Sequence, residues 1–206
     1  NEPTKIIWQS ILNKAFCGAA KGNETITEKA GSFTIADSKT AITQKQKIDN
    51  ISSNGTTVII SGSFISGANS INYTLTFSVK SDKQLHLSLT TNDASYNRLY
   101  LTYLTTAQEQ FFGLGEQPSY FNHKGKRVPI LIQEQGIGRG DITNPLIKLV
   151  LGASVGDEYT SYKSIPHYIS SSSNSLYLEN YEYSEFDFTK TDKVQVEVFT
   201  NKLEAN

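Results

Sequence analysis

A strict two-residue alternation over residues 71–79 constrains the fold more than any other feature of the chain. Every odd position from Ile71 to Val79 is apolar, and every even position is polar. Because successive side chains of a β-strand point to opposite faces, this pattern predicts a strand with one buried face. Polar residues 81–83 supply a turn, and leucines at positions 85, 87 and 89 continue the alternation. Residues 71–90 are therefore predicted to form a β-hairpin.

Six further segments are enriched in the β-branched and aromatic residues that favour strands. Strands separated by polar turns, with no helix repeating between them, are typical of antiparallel sandwiches and not of alternating α/β folds. The sequence thus predicts an all-β antiparallel β-sandwich with at most one or two short helices. We interpret residues 1–206 as a single domain, a size that β-sandwiches commonly reach. The six segments are Ser32–Ala36, Thr57–Ser61, Arg98–Leu104, Ser175–Leu178, Tyr183–Phe188 and Val194–Phe199.

Only the N-terminal segment has helical spacing. One face of such a helix would carry five apolar side chains, and Gly18 would end it. Residues 6–8 also suit an edge strand, so both interpretations stay open at this point. The five apolar residues are Ile7, Ile11, Leu12, Ala15 and Phe16.

Charge and composition narrow the classes of partner. The chain of 206 residues has 19 basic and 20 acidic residues, which gives a formal net charge of −1. This balance provides no electrostatic footprint for nucleic acid or an anionic membrane surface, and no apolar run approaches the roughly 20 residues that span a bilayer. We therefore expect neither nucleic acid nor a membrane as a partner. Cys17 is the single cysteine, which excludes an internal disulfide but leaves export and a cytoplasmic location both open.

No complete set of catalytic or cofactor-binding residues is recognisable. His86, His123 and His167 lack the close spacing that places two ligands on one metal ion. Two Gly-x-Gly sequences, at 113–115 and 136–138, are followed by no helix signal, so they do not fit a dinucleotide-binding fingerprint. We therefore expect no metal ion, no cofactor and no catalytic residue in this chain.

Two short apolar segments, at residues 111–117 and 128–140, each end in glycines and polar groups. Glycine lets the backbone turn tightly and leaves room for the close approach of another surface. Glu116 and Gln117 follow the first pair of glycines, and an acid and an amide also precede the second. Acids and amides at such turns are able to hydrogen-bond a sugar. These two loops are the candidate ligand-binding elements.

Long collinear motifs within residues 97–188 resemble the N-terminal region of glycoside hydrolase family 31. The sulfoquinovosidase-like α-glucosidase branch of that family carries Gly-x-Gly-Glu-Gln and Glu-Gln-Gly-x-Gly-Arg in this order, as this chain does. Residues 1–96 carry no motif that matches the family. The matching segments are Asn97–Tyr103, Phe112–Gln117, Glu134–Gly140, Pro166–Ser171 and Ser175–Asp187.

The resemblance implies a galactose-mutarotase-like β-sandwich that precedes a catalytic (β/α)8 barrel. The family's retaining α-glycosidases take both catalytic aspartates from the barrel, and retention requires two carboxyl groups about 5–5.5 Å apart. A barrel takes roughly 250 residues, so we expect it to be absent from this chain. The implied partners are that barrel and an α-linked glycoside, either a neutral glucoside or a sulfonated sugar. An apolar face left uncovered would favour a homo-oligomer.

In the family, a loop of the sandwich reaches over the barrel mouth and contacts the substrate. The resemblance assigns this contact to Glu134, with Gln135 and Arg139 assisting. An alternative is that Glu134 and Arg139 pair with each other and hold the loop in shape. Glu116 and Gln117 are further candidate substrate-binding residues, although a Gly-x-Gly-Glu turn is more often held by its own acid through backbone hydrogen bonds.

Several other polar and aromatic residues are assigned structural positions. Residues 122–124 are predicted to form an exposed turn, and His86 is predicted to be solvated. Asp187 is predicted to face outward or to cap a turn. Five tyrosines are assigned to the core or to the barrel interface in preference to sugar stacking, namely Tyr162, Tyr168, Tyr177, Tyr181 and Tyr183.

Two other functions remain open at this point. A free-standing carbohydrate-binding module would hold a polysaccharide on a concave sheet face with tyrosines, and would bind sugars directly. A surface or adhesin-like sandwich without a role in sugar binding is suggested only by the Ser-, Thr- and Asn-rich first half of the chain.

Overall fold

The computed structural model describes residue 6, residues 8–29, 31–43 and 45–134, residue 149 and residues 157–206. Ile7, Gln135 and Arg139 are among the residues outside this description. The described residues form strands β1 to β14, and each strand pairs with its neighbours in antiparallel fashion. Their bounds are β1 Cys17–Lys29, β2 Ser32–Thr40, β3 Lys45–Ser53, β4 Thr57–Ser66, β5 Asn69–Ser81, β6 Gln84–Thr91, β7 Arg98–Leu104, β8 Phe111–Gly115, β9 Arg127–Ile130, β10 Ser164–Ser170, β11 Ser175–Tyr177, β12 Ser184–Asp187, β13 Lys193–Val198 and β14 Lys202–Ala205.

The strands form three sheets around one core. Six strands lie in the order β2-β1-β7-β13-β12-β9, five in the order β14-β6-β5-β4-β3 and three in the order β11-β10-β8. A single hydrophobic cluster contains buried side chains from all three sheets. The predicted all-β antiparallel sandwich is confirmed. Members of the cluster include Leu99, Phe186 and Val196 from the six-stranded sheet, Leu75 and Leu89 from the five-stranded sheet, and Phe111 and Tyr168 from the three-stranded sheet.

The predicted hairpin forms the centre of the five-stranded sheet as β5 and β6. It extends from Asn69 to Thr91, slightly beyond the predicted ends. Leu75 and Leu89 are direct cross-strand partners, and both are fully buried. Burying one leucine side chain contributes about 1.5–3 kcal/mol, so this pair anchors the sheet to the core. Burial fades toward the turn, where Val79 is 54% exposed.

The predicted N-terminal helix is wrong, since residues 8–16 are not helical. Of the alternative edge strand at residues 6–8, Ile6 and Trp8 lie in no strand, and Ile7 is outside the described residues. The backbone of this segment instead bonds β7, where the Leu104 N–H donates to the Gln9 carbonyl at 2.8 Å. The rings of Trp8 and Phe16 pack edge to face with centroids 5.7 Å apart. Because a short helix is only marginally stable by itself, aromatic packing and hydrogen bonds to β7 determine the conformation here.

The remaining predicted strands differ from the structure mainly in length. Arg98–Leu104 coincides with β7, and the three predicted segments after residue 170 match β11, β12 and β13 to within one residue at each end. The predictions for β2 and β4 stop too early, since these strands continue to Thr40 and Ser66. Strands β1, β3, β10 and β14 were not predicted. Glycine and charged residues fill β1, and most of β3 is exposed.

Candidate functional site

The first predicted loop begins in β8, where three consecutive residues have positive φ. Gly113, Leu114 and Gly115 have φ values of 108°, 62° and 86°. L-residues disfavour this region by about 1–2 kcal/mol, and the fully buried Leu114 side chain holds the residue there. A Cβ atom on Gly115 would collide with the carbonyl oxygen of Lys163. Glycine at position 115 is therefore needed for the close approach of residue 163.

His123 supports this turn, and its predicted exposure is wrong. The side chain is 1% exposed, and its Nε2 lies 3.1 Å from the Gly113 carbonyl oxygen. Burial lowers the pKa of the His123 imidazole, and the hydrogen bond to Gly113 offsets this only in part. The ring is thus neutral near pH 7, with Nε2–H as the donor. Asn122 adds a second support, since its Oδ1 accepts hydrogen bonds from the backbone N–H groups of Phe111 and Lys124 at 3.2 and 3.0 Å.

Gln117 bonds within the turn that follows β8, and Glu116 presents its side chain to solvent. The Gln117 Nε2 donates to the Leu114 carbonyl at 3.0 Å. The backbone N–H of Glu116 donates to the Lys163 carbonyl at 2.8 Å. The Glu116 carboxylate makes no hydrogen bond to another described residue, and the residue is exposed. The turn-holding role considered for Glu116 therefore belongs to Gln117.

The second predicted loop leaves β9 and runs along the end of the β1–β2 hairpin. Gln133 is buried, and its Oε1 accepts a hydrogen bond from the Phe33 N–H at 2.8 Å. The Glu134 N–H donates to the Gly31 carbonyl at 3.1 Å, and Glu134 itself is exposed. Gln135 and Arg139 lie outside the described residues, so their roles and the Glu134–Arg139 pairing stay predictions.

Residues 152–156 match the short Gly-x-Ser-x-Gly pattern of a nucleophile elbow, which needs a strand-to-helix turn. These residues also lie outside the described residues.

Residues 161–164 bring the two predicted loops together. The Ser161 carbonyl accepts a hydrogen bond from the Gln133 N–H at 3.0 Å, two residues before the Lys163 carbonyl that binds Glu116. The Ser164 Oγ donates to the Leu131 carbonyl at 2.9 Å. Glu116 and Gln133, the neighbour of Glu134, are therefore bonded to one short segment, and both glutamates are exposed. We call residues 116–117, 133–134 and 161–163 the rim.

The residue that anchors the β1–β2 hairpin was not singled out from the sequence. Arg98 is only 1% exposed, and its Nε and Nη2 donate to the two oxygens of Asp37 at 3.0 and 2.8 Å. Its Nη2 also donates to Glu24 at 2.5 Å. The Phe199 ring lies against the guanidinium, with its centroid 3.6 Å from Cζ. Bidentate pairing and stacking of this kind are strong and directional. The available signal was an arginine at the head of an otherwise apolar strand.

The five tyrosines separate into buried and exposed groups. Tyr168 is in the core, where its hydroxyl bonds that of Tyr103. Tyr183 is half-buried against Phe199. Three others are exposed, which excludes a core role for them and leaves the interface role a prediction. They are Tyr162, Tyr177 and Tyr181.

Asp187 caps a turn, as predicted. Its Oδ1 accepts a hydrogen bond from the Thr189 N–H at 2.8 Å, and its Oδ2 accepts one from the Arg127 Nη2 at 2.6 Å. Burial pushes the pKa of Asp187 upward, but these hydrogen bonds outweigh burial and hold the pKa below its ordinary value.

The three histidines do not converge. His86, predicted to be solvated, is half-buried and has carboxylate oxygens of Glu179 and Glu204 at 3.8 and 3.9 Å. His167 lies edge-on to Tyr177. Across the described parts of the chain, no group of three or more His, Cys, Asp or Glu side chains is placed to hold a metal ion. The same parts contain no helix with the length and apolarity required to cross a membrane.

The sequence is similar to two sulfoquinovosidases. It is 36% identical to the sulfoquinovosidase of Agrobacterium fabrum over 114 residues, which are 55% of this chain and 17% of that protein. It is 28% identical to the sulfoquinovosidase of Escherichia coli K12 over 133 residues, which are 64% of this chain and 20% of that protein. The matched region thus corresponds to about a fifth of each relative. No protein-family model matches the chain.

Solved structures share the fold. A family 31 sulfoquinovosidase from E. rectale, in complex with an aza-sugar inhibitor, superposes with a TM-score of 0.79 at 21% identity. The alignment covers 95% of this chain and 28% of that one. A protein of Listeria monocytogenes EGD-e superposes with a TM-score of 0.56 at 13% identity, over 96% of this chain and 28% of its own. At these identities the likeness is one of fold alone.

The chain has an all-β sandwich fold, which it shares with a family 31 sulfoquinovosidase. Its sequence is homologous to part of the sulfoquinovosidases. The resemblance predicted from the motifs in residues 97–188 is thereby confirmed.

Proposed function

We propose that this chain is the N-terminal β-sandwich domain of a retaining α-glycosidase, an α-glucosidase or a sulfoquinovosidase. In this proposal the sandwich packs against a catalytic (β/α)8 barrel and lends the Glu134 loop to the substrate pocket. The two carboxyl groups that cleave the glycosidic bond belong to the barrel, so the domain has no hydrolytic activity by itself.

The observation that carries the proposal is the convergence of two separate motifs on one exposed rim. Glu116 and Glu134 are 18 positions apart in the chain and both are exposed. The Glu116 N–H bonds Lys163, and Gln133, the neighbour of Glu134, bonds Ser161. A carboxylate accepts hydrogen bonds from two neighbouring sugar hydroxyls at once. We assign that contact to Glu134, with Glu116, Gln117, Gln135 and Arg139 as supporting residues.

An apolar surface next to the rim supports the packing part of the proposal. On the three-stranded sheet, Ile165 and Ile169 of β10 are 36% and 54% exposed. Phe121, which is 84% exposed, packs on Phe112 of β8 with ring centroids 4.9 Å apart. Contiguous exposed apolar side chains mark interaction surfaces. Because rim residues 116–117 follow β8 and rim residues 161–163 precede β10, a barrel covering this face would bring its substrate pocket to Glu134.

The proposal is tested with the longer polypeptide that it requires. Glu134→Gln should lower kcat/KM for an aryl α-glucoside or an aryl α-sulfoquinovoside by about tenfold or more, since losing a hydrogen bond to a charged group costs about 1.5–3 kcal/mol. Asp82→Asn, in the exposed turn between β5 and β6, is the control and should leave kcat/KM unchanged. Equal kcat/KM in Glu134→Gln and the unmodified enzyme would contradict the substrate contact.

The isolated 206-residue chain provides a second test. We expect no turnover of either aryl glycoside, and any sustained hydrolysis would overturn the assignment of the chemistry to the barrel. Calorimetric titration of the same chain with glucosides and sulfoquinovosides tests the carbohydrate-binding module. Saturable binding at millimolar affinity or better would favour that alternative.

A further inference from the structure

Gln133 is a buried polar residue at the point where three segments meet. Its side chain is 6% exposed, and buried amides of this kind are almost always hydrogen-bonded. The Oε1 accepts the Phe33 N–H at 2.8 Å, and the backbone N–H donates to the Ser161 carbonyl at 3.0 Å. Ile132, one residue earlier, forms a parallel bridge with the same Ser161. Gln133 therefore links the second predicted loop both to the β1–β2 hairpin and to the rim segment.

The contacts of Gln133 determine which way Glu134 faces. In extended backbone, successive side chains point to opposite sides, so burying Gln133 turns the Glu134 side chain to solvent. The Glu134 N–H donates to the Gly31 carbonyl at 3.1 Å. Gly31 and Phe33 flank the start of β2, so two successive loop residues are bonded to the same end of the hairpin.

The β1–β2 hairpin is built to act as a stiff support. Its two strands pair at nine positions, from Lys21–Thr40 to Lys29–Ser32. Glu24 and Asp37 are direct cross-strand partners, and the buried Arg98 guanidinium binds both. The β1–β2 strand pairing thus connects the end of the hairpin that binds the loop to Arg98 of β7, in the six-stranded sheet.

We propose that Gln133 is a positioning residue for Glu134, and that the β1–β2 hairpin sets the place of the Glu134 carboxylate at the rim. The inference rests on the proposed function, because it assumes that Glu134 contacts the substrate. Gln133 itself touches no substrate in this account. It acts by holding the loop in one register against the hairpin.

A double-mutant cycle in the longer polypeptide tests the inference. Gln133→Leu removes the acceptor of the Phe33 N–H at similar volume, and Gln133→Glu keeps an acceptor at that place. We expect Gln133→Leu to lower kcat/KM by about tenfold or more, since small misplacements of binding groups cost up to about 100-fold. Gln133→Glu should retain kcat/KM within about threefold. In a Glu134→Ala background Gln133→Leu should have no further effect, because the group that it positions is gone.

Gln46→Leu is the matched control. The Gln46 Oε1 accepts the Phe16 N–H at 3.0 Å, so Gln46→Leu removes the same kind of bond in β3 of the five-stranded sheet. It also removes the hydrogen bonds that Gln46 Nε2 donates to the Tyr73 hydroxyl and to Cys17 Sγ. It should leave kcat/KM unchanged in both backgrounds. A loss from Gln133→Leu that is equally large with and without Glu134 would overturn the inference, because Gln133 would then support the fold in general.

Amide hydrogen exchange in the 206-residue chain separates the two proposals. Gln133→Leu should speed exchange at the Phe33 and Glu134 amides and leave the Leu75 amide unchanged. Unchanged exchange at Phe33 and Glu134 would overturn the positioning role even if the substrate contact holds. Faster exchange together with full kcat/KM in Glu134→Ala would instead overturn the proposed function, and the positioning of a substrate-binding group with it.

Discussion

The β5–β6 hairpin and the rim are built by different kinds of interaction. The hairpin is held by apolar burial repeated along both strands, with Leu75 and Leu89 fully buried opposite each other. The rim is held by single polar bonds between distant segments, such as the Gln133–Phe33 bond across 100 positions. Apolar burial is non-directional and spread over many side chains, whereas each rim bond is directional. The stability of the hairpin should therefore depend on the volume of its buried side chains. The rim should depend on single hydrogen-bonding atoms and single backbone torsions.

The largest expected effect lies in the hairpin. Leu75→Ala should lower the free energy of unfolding by about 2–5 kcal/mol, because it removes buried methyl groups and leaves a cavity. Val79→Ala, on the same face of the same strand but 54% exposed, is the matched control. Its cost should stay below about 1 kcal/mol. Urea unfolding of both variants measures the two losses of stability. Equal losses would contradict a decrease in burial along β5 from Leu75 to Val79.

A glycine pair tests the rim in the same way. Gly115 and Gly55 both have positive φ, 86° and 91°, so alanine is strained at either position. Only at Gly115 would the new Cβ collide with backbone, since nothing lies within 4 Å of the corresponding position at Gly55. Gly115→Ala should therefore cost about 1–3 kcal/mol more than Gly55→Ala in urea unfolding. Equal costs would mean that the approach of Lys163 is not tight.

A smaller effect on stability is expected from the protonation of His123, which supports β8. Because burial lowers the pKa of His123 in the folded state, the unfolded chain binds a proton more readily than the folded chain does. The His123 contribution to stability is then complete above the unfolded pKa of about 6.5 and declines as pH falls from there toward the folded pKa. The free energy of unfolding should drop more between pH 7.5 and 5.5 in the unmodified protein than in His123→Gln. Parallel pH profiles for the two proteins would contradict the buried, neutral imidazole.

Sequence patterns predicted the elements that rely on local periodicity and missed those that rely on distant partners. The alternation at residues 71–79 predicted the hairpin, because burial there repeats every second residue. The helix assigned to residues 7–16 was wrong, since Trp8 and Phe16 gain more from packing and from β7 than from one helical face. Strand β1 was missed although it forms a local hairpin with β2, because its own residues carry little apolar signal.

The site shows the same limit. Glycine spacing and the family motifs predicted Glu116, Gln117 and Glu134, which the structure brings to one rim. Neither could show that His123 is buried under Gly113. No local pattern points to Gln133 as the residue that ties Glu134 to a hairpin about 100 positions away.

The central claim is that this sandwich contributes the Glu134 loop to a substrate pocket completed by a catalytic barrel. The most direct test is hydrogen–deuterium exchange of the longer polypeptide with and without a non-hydrolysable S-linked α-glucoside or α-sulfoquinovoside. The account predicts that the bound glycoside slows exchange in residues 132–134 and leaves the β5–β6 hairpin unchanged. Protection confined to residues outside this domain, with none at 132–134, would contradict it.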